Sequence, residues 1–212
     1  MTYRGLACSL LLVGLAASPA EAQEMSDRSP RIAANLALGL AGELDLYSES
    51  NAGSLHSDAD LDPSVGFDLR GELPLLDFLV LGGWFEFLSF ETDTSGSERE
   101  ESFSFDVFLR VRYVFEAIAN TLFIEPYVLF PFGFSMAVLP DDDGSGDDIW
   151  PGFNTGVFAG AQILHESGFG GYLELGWRHA EVFHDRTILG ADVHQSLVAN
   201  EMALNFGFVY AL

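Results

Sequence analysis

From residue 31 to the C-terminus, apolar and polar residues alternate with a period of two. Ile32, Ala34, Leu36, Leu38, Leu40, Leu44 and Leu46 share one parity, while Asn35, Gly39, Glu43 and Asp45 occupy the other. That period puts the two sets on opposite faces of a strand. A second segment sets Val65, Phe67, Leu69 and Leu73 against Gly66, Asp68, Arg70 and Glu72. The fourth sets Phe103, Phe105, Val107, Leu109, Val111, Tyr113 and Phe115 against Ser104, Asp106, Arg110 and Arg112. On a helix every face of these segments would mix charge with phenylalanine, so they are strands.

The remaining segments follow the same rule. Residues 78–90 are apolar on both parities, with Trp84 and Glu86 marking the even face as inward. Residues 122–138 place Ile124, Val128, Phe130, Phe132, Phe134 and Met136 opposite Glu125, Tyr127, Gly133 and Ser135. Pro126 and Pro131 lie in that segment, and proline removes a ladder donor, which predicts a local irregularity. Residues 153–163 set Phe153, Val157, Ala161 and Ile163 against Asn154, Gly156, Gly160 and Gln162. Residues 169–178 set Phe169, Leu173, Leu175 and Trp177 against Tyr172, Glu174, Gly176 and Arg178. Residues 198–212 set Met202, Leu204, Phe206, Phe208, Tyr210 and Leu212 against Glu201, Asn205 and Gly207.

The connections between these eight segments alternate in length. Those at 47–63, 91–101, 139–151 and 183–197 are long and polar; those at 74–77, 116–121 and 165–168 are short. An all-β, eight-stranded, antiparallel up-and-down barrel with both termini at one end produces this asymmetry. Most of the acids fall in the long loops.

Composition turns the barrel toward a bilayer. Hydrophobic residues make up 49% of the chain and phenylalanines number 19, yet the net charge is −23 and the nine cations are all arginine. Ahead of the strands, Arg4, the apolar stretch Leu10 to Ala17 and Ala20-Glu21-Ala22 read as a cleaved secretory signal peptide over 1–22. A short segment, 23–30, then precedes the barrel domain, 31–212. Cys8 lies ahead of the apolar stretch, so neither lipidation nor a disulfide is expected of the mature chain.

A bilayer leaves no backbone group unpaired, so membrane strands must close into a ring. Eight strands enclose a space about wide enough for side chains to fill it. The inward parity therefore predicts a polar plug of Glu43, Asp45, Asp68, Arg70, Glu72, Glu86, Asp106, Arg110, Arg112, Glu125, Glu174, Arg178 and Glu201. Each arginine is expected to serve several acids, because its forked donors suit carboxylates. Glycines 39, 66, 133, 156, 160 and 176 on the same face leave room for long side chains or permit curvature.

Candidate chemistry is sparse. His165-Glu166-Ser167 has the His-x-Ser spacing of the lipid A deacylases, but it falls in a short turn at the end expected to face the periplasm, where a polar β-turn explains it. His179, His184 and His194 cluster in or beside the fourth long loop with Glu181, Asp185 and Asp192, and His56 lies in the first. Scattered loop histidines are ordinarily solvated. In the third loop Asp141, Asp143, Ser145 and Asp147 alternate acids with Gly and Ser, which suits a weak exposed Ca²⁺ or Mg²⁺ site, although the EF-hand spacing is missing. Such a cation could bridge the acidic loops to lipopolysaccharide phosphates. No other cofactor is expected, and so acidic a chain repels nucleic acid.

The alternating Phe206, Phe208, Tyr210 and Leu212 resemble the terminal strand by which the outer-membrane assembly machinery recognises its clients, with Leu in place of the usual Phe. With Glu125-Pro126-Tyr127 and Leu173-Glu174-Leu175-Gly176-Trp177-Arg178, the arrangement resembles the small outer-membrane barrels, the OmpA-type and OmpX/OmpW-like domains. The resemblance covers the whole mature chain. It implies an outer-membrane protein of a Gram-negative bacterium and identifies a superfamily, not an activity; with the candidate chemistry so sparse, a monomeric, non-enzymatic protein with a structural and surface-interaction role is expected. The OmpW-like members imply an alternative: a narrow pore or transporter for ions or small apolar molecules.

Overall fold

A computed structural model describes residues 29–50, 53–91, 100–118, 122–140, 147–188 and 191–212. The expected signal peptide, residues 1–22, and most of the segment 23–30 lie outside them. The described chain is antiparallel sheet throughout. Its strands are β1 (Arg31–Ser50), β2 (Gly53–Leu61), β3 (Val65–Leu76), β4 (Leu79–Phe90), β5 (Glu100–Arg112), β6 (Phe115–Ile118), β7 (Leu122–Pro140), β8 (Asp147–His165), β9 (Phe169–Ile188) and β10 (Ala191–Ala211).

These ten strands make eight staves. Val65 pairs with Leu38 and Leu61 with Gly42, so β2 continues β3 along one edge of β1 without a change of register. Likewise β6 continues β5 along β7, since Arg112 pairs with Tyr127 and Phe115 with Ile124. The staves run up and down in chain order, and β10 closes on β1 from Arg31↔Ala211 to Val193↔Ser50. The first and last described residues lie at one end, where the Leu212 amide donates to the Pro30 carbonyl at 2.8 Å. We call this the terminal end and the opposite one the distal end.

The outer wall is apolar. Ile32, Leu36, Phe67, Leu69, Phe105, Val107, Phe132, Leu173, Phe206 and Phe208 all face outward and are exposed. So broad an apolar surface on a closed barrel would associate in water and suits hydrocarbon. A bilayer needs about 9–11 residues of tilted strand. β1 and β9 have 20 residues and β10 has 21, so these strands run well past the membrane.

Three expected long loops are therefore largely strand. The first becomes the β1–β2 hairpin, the fourth is almost wholly the β9–β10 hairpin, and β7 and β8 extend to Pro140 and Asp147. Polar residues do not end a strand when both neighbouring ladders continue. The expected short turns fall between β3 and β4 and between β8 and β9. The irregularity at segment five is mild. The β7–β8 ladder skips Phe130 and Pro131 and resumes in the same register, and Thr155 Oγ1 donates to the Pro131 carbonyl at 3.1 Å.

One expected parity is overturned. The β1–β10 register shifts between Gly39 and Ala41, so Leu40 is an extra residue. An inserted residue inverts the facing of everything beyond it. Leu44 is therefore buried inside the barrel, while Glu43, expected in the lumen, is exposed outside. Asp45 also leaves the lumen and pairs with His56 Nε2 at 3.0 Å.

Candidate functional site

The interior is packed in tiers. Nearest the terminal end, Arg31 grips Glu125 through two hydrogen bonds, 2.6 and 2.9 Å, from the opposite side of the ring. Arg112 adds a third at 3.0 Å, and Arg110 stands 3.8 Å from the same carboxylate. Arg110 also pairs with Glu72 and donates to Gln162 at 3.0 Å. One glutamate thus gathers three guanidiniums, which their planar forks permit.

The central tier turns on Arg70. It pairs with Asp68 along its own strand and with Glu174 across the lumen at 2.6 Å. The remaining lone pairs of Glu174 are met by the Tyr127 hydroxyl at 2.8 Å and Asn205 Nδ2 at 2.9 Å, and Asn35 donates to Asp68. The Arg70 guanidinium lies over the Trp84 ring, 3.8 Å from its centroid. Phe108 and Phe158 pack here with Trp84 and Leu129, so the plug is part aromatic. Gly82 makes this possible: a Cβ there would sit 2.1 Å from the Phe108 ring.

In the third tier Arg178 bridges Glu86 and Glu201, each at 2.6 Å, and Ser64 donates to Glu201 at 3.2 Å. Asp106 has no guanidinium partner and accepts from Asn154. Across the three tiers, seven carboxylates (Asp68, Glu72, Glu86, Asp106, Glu125, Glu174, Glu201) face five guanidiniums (Arg31, Arg70, Arg110, Arg112, Arg178), an excess of two acids. Buried charges are tolerated only when paired and hydrogen-bonded, which is how most of these stand.

Beyond the third tier the lining changes. Leu44, Leu61, Phe90, Ala137, Trp150, Val182 and Leu197 form an apolar cluster in the distal part of the barrel. It surrounds a cavity of about 70 Å³ whose floor includes Glu86, Arg178, Glu201 and Asn154.

Eleven of the residues expected in the plug thus meet in the lumen; Glu43 and Asp45 do not. Arg31 was missed, although it shares the inward parity of Asn35 at the first residue of the strand. The apolar chamber was missed too, because Leu61, Trp150 and Leu197 come from segments whose polar outer residues had marked them as loops, and Leu44 was expected to face outward.

The other candidates come apart. His165 Nδ1 meets Ser167 Oγ at 3.0 Å, but in an exposed turn at the terminal end in which the Ser167 amide also donates to that nitrogen at 3.1 Å. His184 stacks on Trp150 and lies 3.6 Å from Asp148, His179 meets Asn200, and His194 meets Asp185. No group of three His, Cys, Asp or Glu converges on a metal position among the described residues. Asp141, Asp143 and Ser145 lie outside those residues; Asp147 opens β8 and is exposed. Phe206, Phe208, Tyr210 and Leu212 all face outward at the closing seam.

No family model matches the chain, and no curated protein sequence matches it. Solved structures do. Outer membrane protein OprG of Pseudomonas aeruginosa is 8% identical over 88% of this chain and 97% of its own, with a TM-score of 0.59. AlkL, an outer membrane protein solved in lipid bilayers, is 14% identical over 88% of this chain and 91% of its own, with a TM-score of 0.49. Neisserial surface protein A is 13% identical over 84% of this chain and 99% of its own, with a TM-score of 0.46. The chain has the fold of the small eight-stranded outer-membrane β-barrels.

Proposed function

We propose that this chain is a non-enzymatic, monomeric protein of a Gram-negative outer membrane. It serves as a sealed structural barrel that presents acidic distal hairpins at the cell surface. The observation that carries this reading is the lattice from Arg31–Glu125 through Arg70–Glu174 to Arg178–Glu86, which spans the lumen at three levels. An ion crossing it would have to displace hydrogen-bonded charge pairs in succession. The terminal aromatic ladder serves the assembly machinery, and the acidic hairpins meet lipopolysaccharide through bridging divalent cations. Planar bilayers test the seal. The wild-type chain should give no steps at any voltage that the bilayer withstands; stable single-channel steps that vanish in Arg110→Ala would overturn it.

A second reading rests on the distal chamber. Its wall of Leu44, Leu61, Phe90, Trp150, Val182 and Leu197 suits a small apolar molecule held above the plug, as in a transporter for such compounds. Titrating a medium-chain alkane should then change Trp150 emission saturably, and Leu197→Asp should abolish the change. An unsaturable response, the same in both proteins, would remove this reading.

A further inference from the structure

Four side chains of the lumen stand apart from the ion-pair lattice and converge near the floor of the distal chamber. Ser104 on β5 is the register partner of Ser135 on β7, and Asp106 is the next inward position after Ser104. Asn154 reaches in from β8 and donates to Asp106 Oδ2 at 3.2 Å. All four are more than nine-tenths buried, with exposures of 8% for Asp106, 7% for Ser104, 5% for Asn154 and 4% for Ser135.

What they lack is a partner for their remaining oxygens. Ser104 Oγ, Ser135 Oγ, Asp106 Oδ1 and Asn154 Oδ1 are buried with no hydrogen-bond partner among the described residues. Buried polar atoms are normally paired, and a cluster of four left over asks for a common explanation. Gly133 is the register partner of both Asp106 and Asn154, and a Cβ there would stand 2.1 Å from the Phe105 carbonyl oxygen and 2.3 Å from Asp106 Oδ1, so the glycine lets that oxygen lie close against β7. Glu86 is the register partner of Ser104, and its one cationic neighbour, Arg178, is shared with Glu201.

The chemistry of the set is one-sided: a carboxylate, an amide carbonyl and two hydroxyl oxygens, with a second carboxylate beside them. Water would satisfy the hydroxyls but bring no charge to Asp106, which forms no ion pair among the described residues. A hard metal ion takes oxygen ligands of this kind, and it would offset the excess acid of the lumen. We propose that Asp106, Asn154, Ser104 and Ser135 form an intramembrane binding site for a hard cation, Ca²⁺ or Na⁺. The ion enters from the distal chamber, whose wall includes Ser104, Ser135 and Asn154. The site uses none of the residues 141–147, and it does not require the barrel to conduct.

The test uses the full mature chain folded in detergent. Binding is read by equilibrium dialysis of ⁴⁵Ca²⁺ and by ²³Na relaxation in choline buffer. One of the two ions should occupy a single saturable site per chain. Asp106→Asn should weaken it at least tenfold while the circular dichroism spectrum and the gel shift on boiling stay unchanged. A triple variant of the loop, Asp141→Asn with Asp143→Asn and Asp147→Asn, should leave that site intact. If Asp106→Asn fails to fold, Ser104→Ala with Ser135→Ala, which keeps every charge, should weaken binding severalfold. Binding of either ion that ignores both lumen variants, or that disappears only with the loop variant, overturns the proposal, as does the absence of a saturable site for both ions.

Discussion

Glu125 accepts hydrogen bonds from Arg31 and Arg112 and lies within 3.8 Å of Arg110, so two buried guanidiniums are held by this carboxylate and a third stands beside it. Glu125→Gln keeps the shape and removes the charge, leaving like charges facing one another in the terminal tier. Breaking a buried pair in this way costs about 3–5 kcal/mol. Guanidinium unfolding in micelles should show a loss of that order, and so should Arg110→Met, which strands the buried Glu72 carboxylate. At the surface, His194 and Asp185 meet at 2.6 Å on the distal β9–β10 hairpin, outside the membrane. The Asp185 hydrogen bond and charge raise the histidine pKa above its ordinary value. Because the shift is upward, any stabilisation of the hairpin is fully present below the ordinary histidine pKa and fades as pH rises through the raised one. An NMR titration should place the His194 midpoint above that of an unpaired histidine, and Asp185→Asn should return it. The inward parity of Glu125 could be read from its neighbours Tyr127 and Gly133. Its principal partner could not, since Arg31 lies 94 residues away on the opposite wall.

Strand by strand, β1 shows how one residue redirects an element. The pattern Ile32 to Leu46 reads as unbroken alternation because leucine stands on both sides of the Leu40 insertion. The partner strand resolves the ambiguity: Gly39 faces Ala203, Ala41 faces Met202, and Leu40 faces nothing. Deleting Leu40 should restore simple alternation while keeping position 44 inward and position 43 outward, because the residues beyond the insertion are already in step with β10. A Leu44→Cys reporter should be shielded from an aqueous thiol reagent in the otherwise unaltered barrel and stay shielded when Leu40 is deleted; labelling gained on the deletion would contradict the bulge. The same strands set a depth scale on the outer wall. Phe206 lies among the exposed apolar positions of β10, while Thr187 lies near the tip of the distal hairpin. Phe206→Arg should cost about 2–4 kcal/mol if that position sits near the bilayer midplane, and Thr187→Arg close to nothing, in unfolding titrations from lipid vesicles.

At the scale of the whole molecule, stability rests on closure. The β1–β10 seam runs almost the full length of both strands, so no edge is left to hydrocarbon. A proline in that seam removes a ladder donor that nothing in the bilayer can replace. Leu204→Pro should therefore abolish the compact form that migrates differently before and after boiling, while the parent chain shows the shift. Identical mobility in both chains, boiled or not, would contradict the importance given to closure. Alternation between neighbours two apart is local, and it alone determined the strands, the lipid-facing phenylalanines and the inward-facing acids and arginines. Relations across the ring depend on how the staves are staggered, which no local window contains. Only the tertiary structure decided that Arg31 reaches Glu125, that the bulge at Leu40 expels Glu43, and that polar loops become hairpins around an apolar chamber. It also decided that Ser104, Asp106, Ser135 and Asn154, drawn from three strands, stand at neighbouring positions in the lumen.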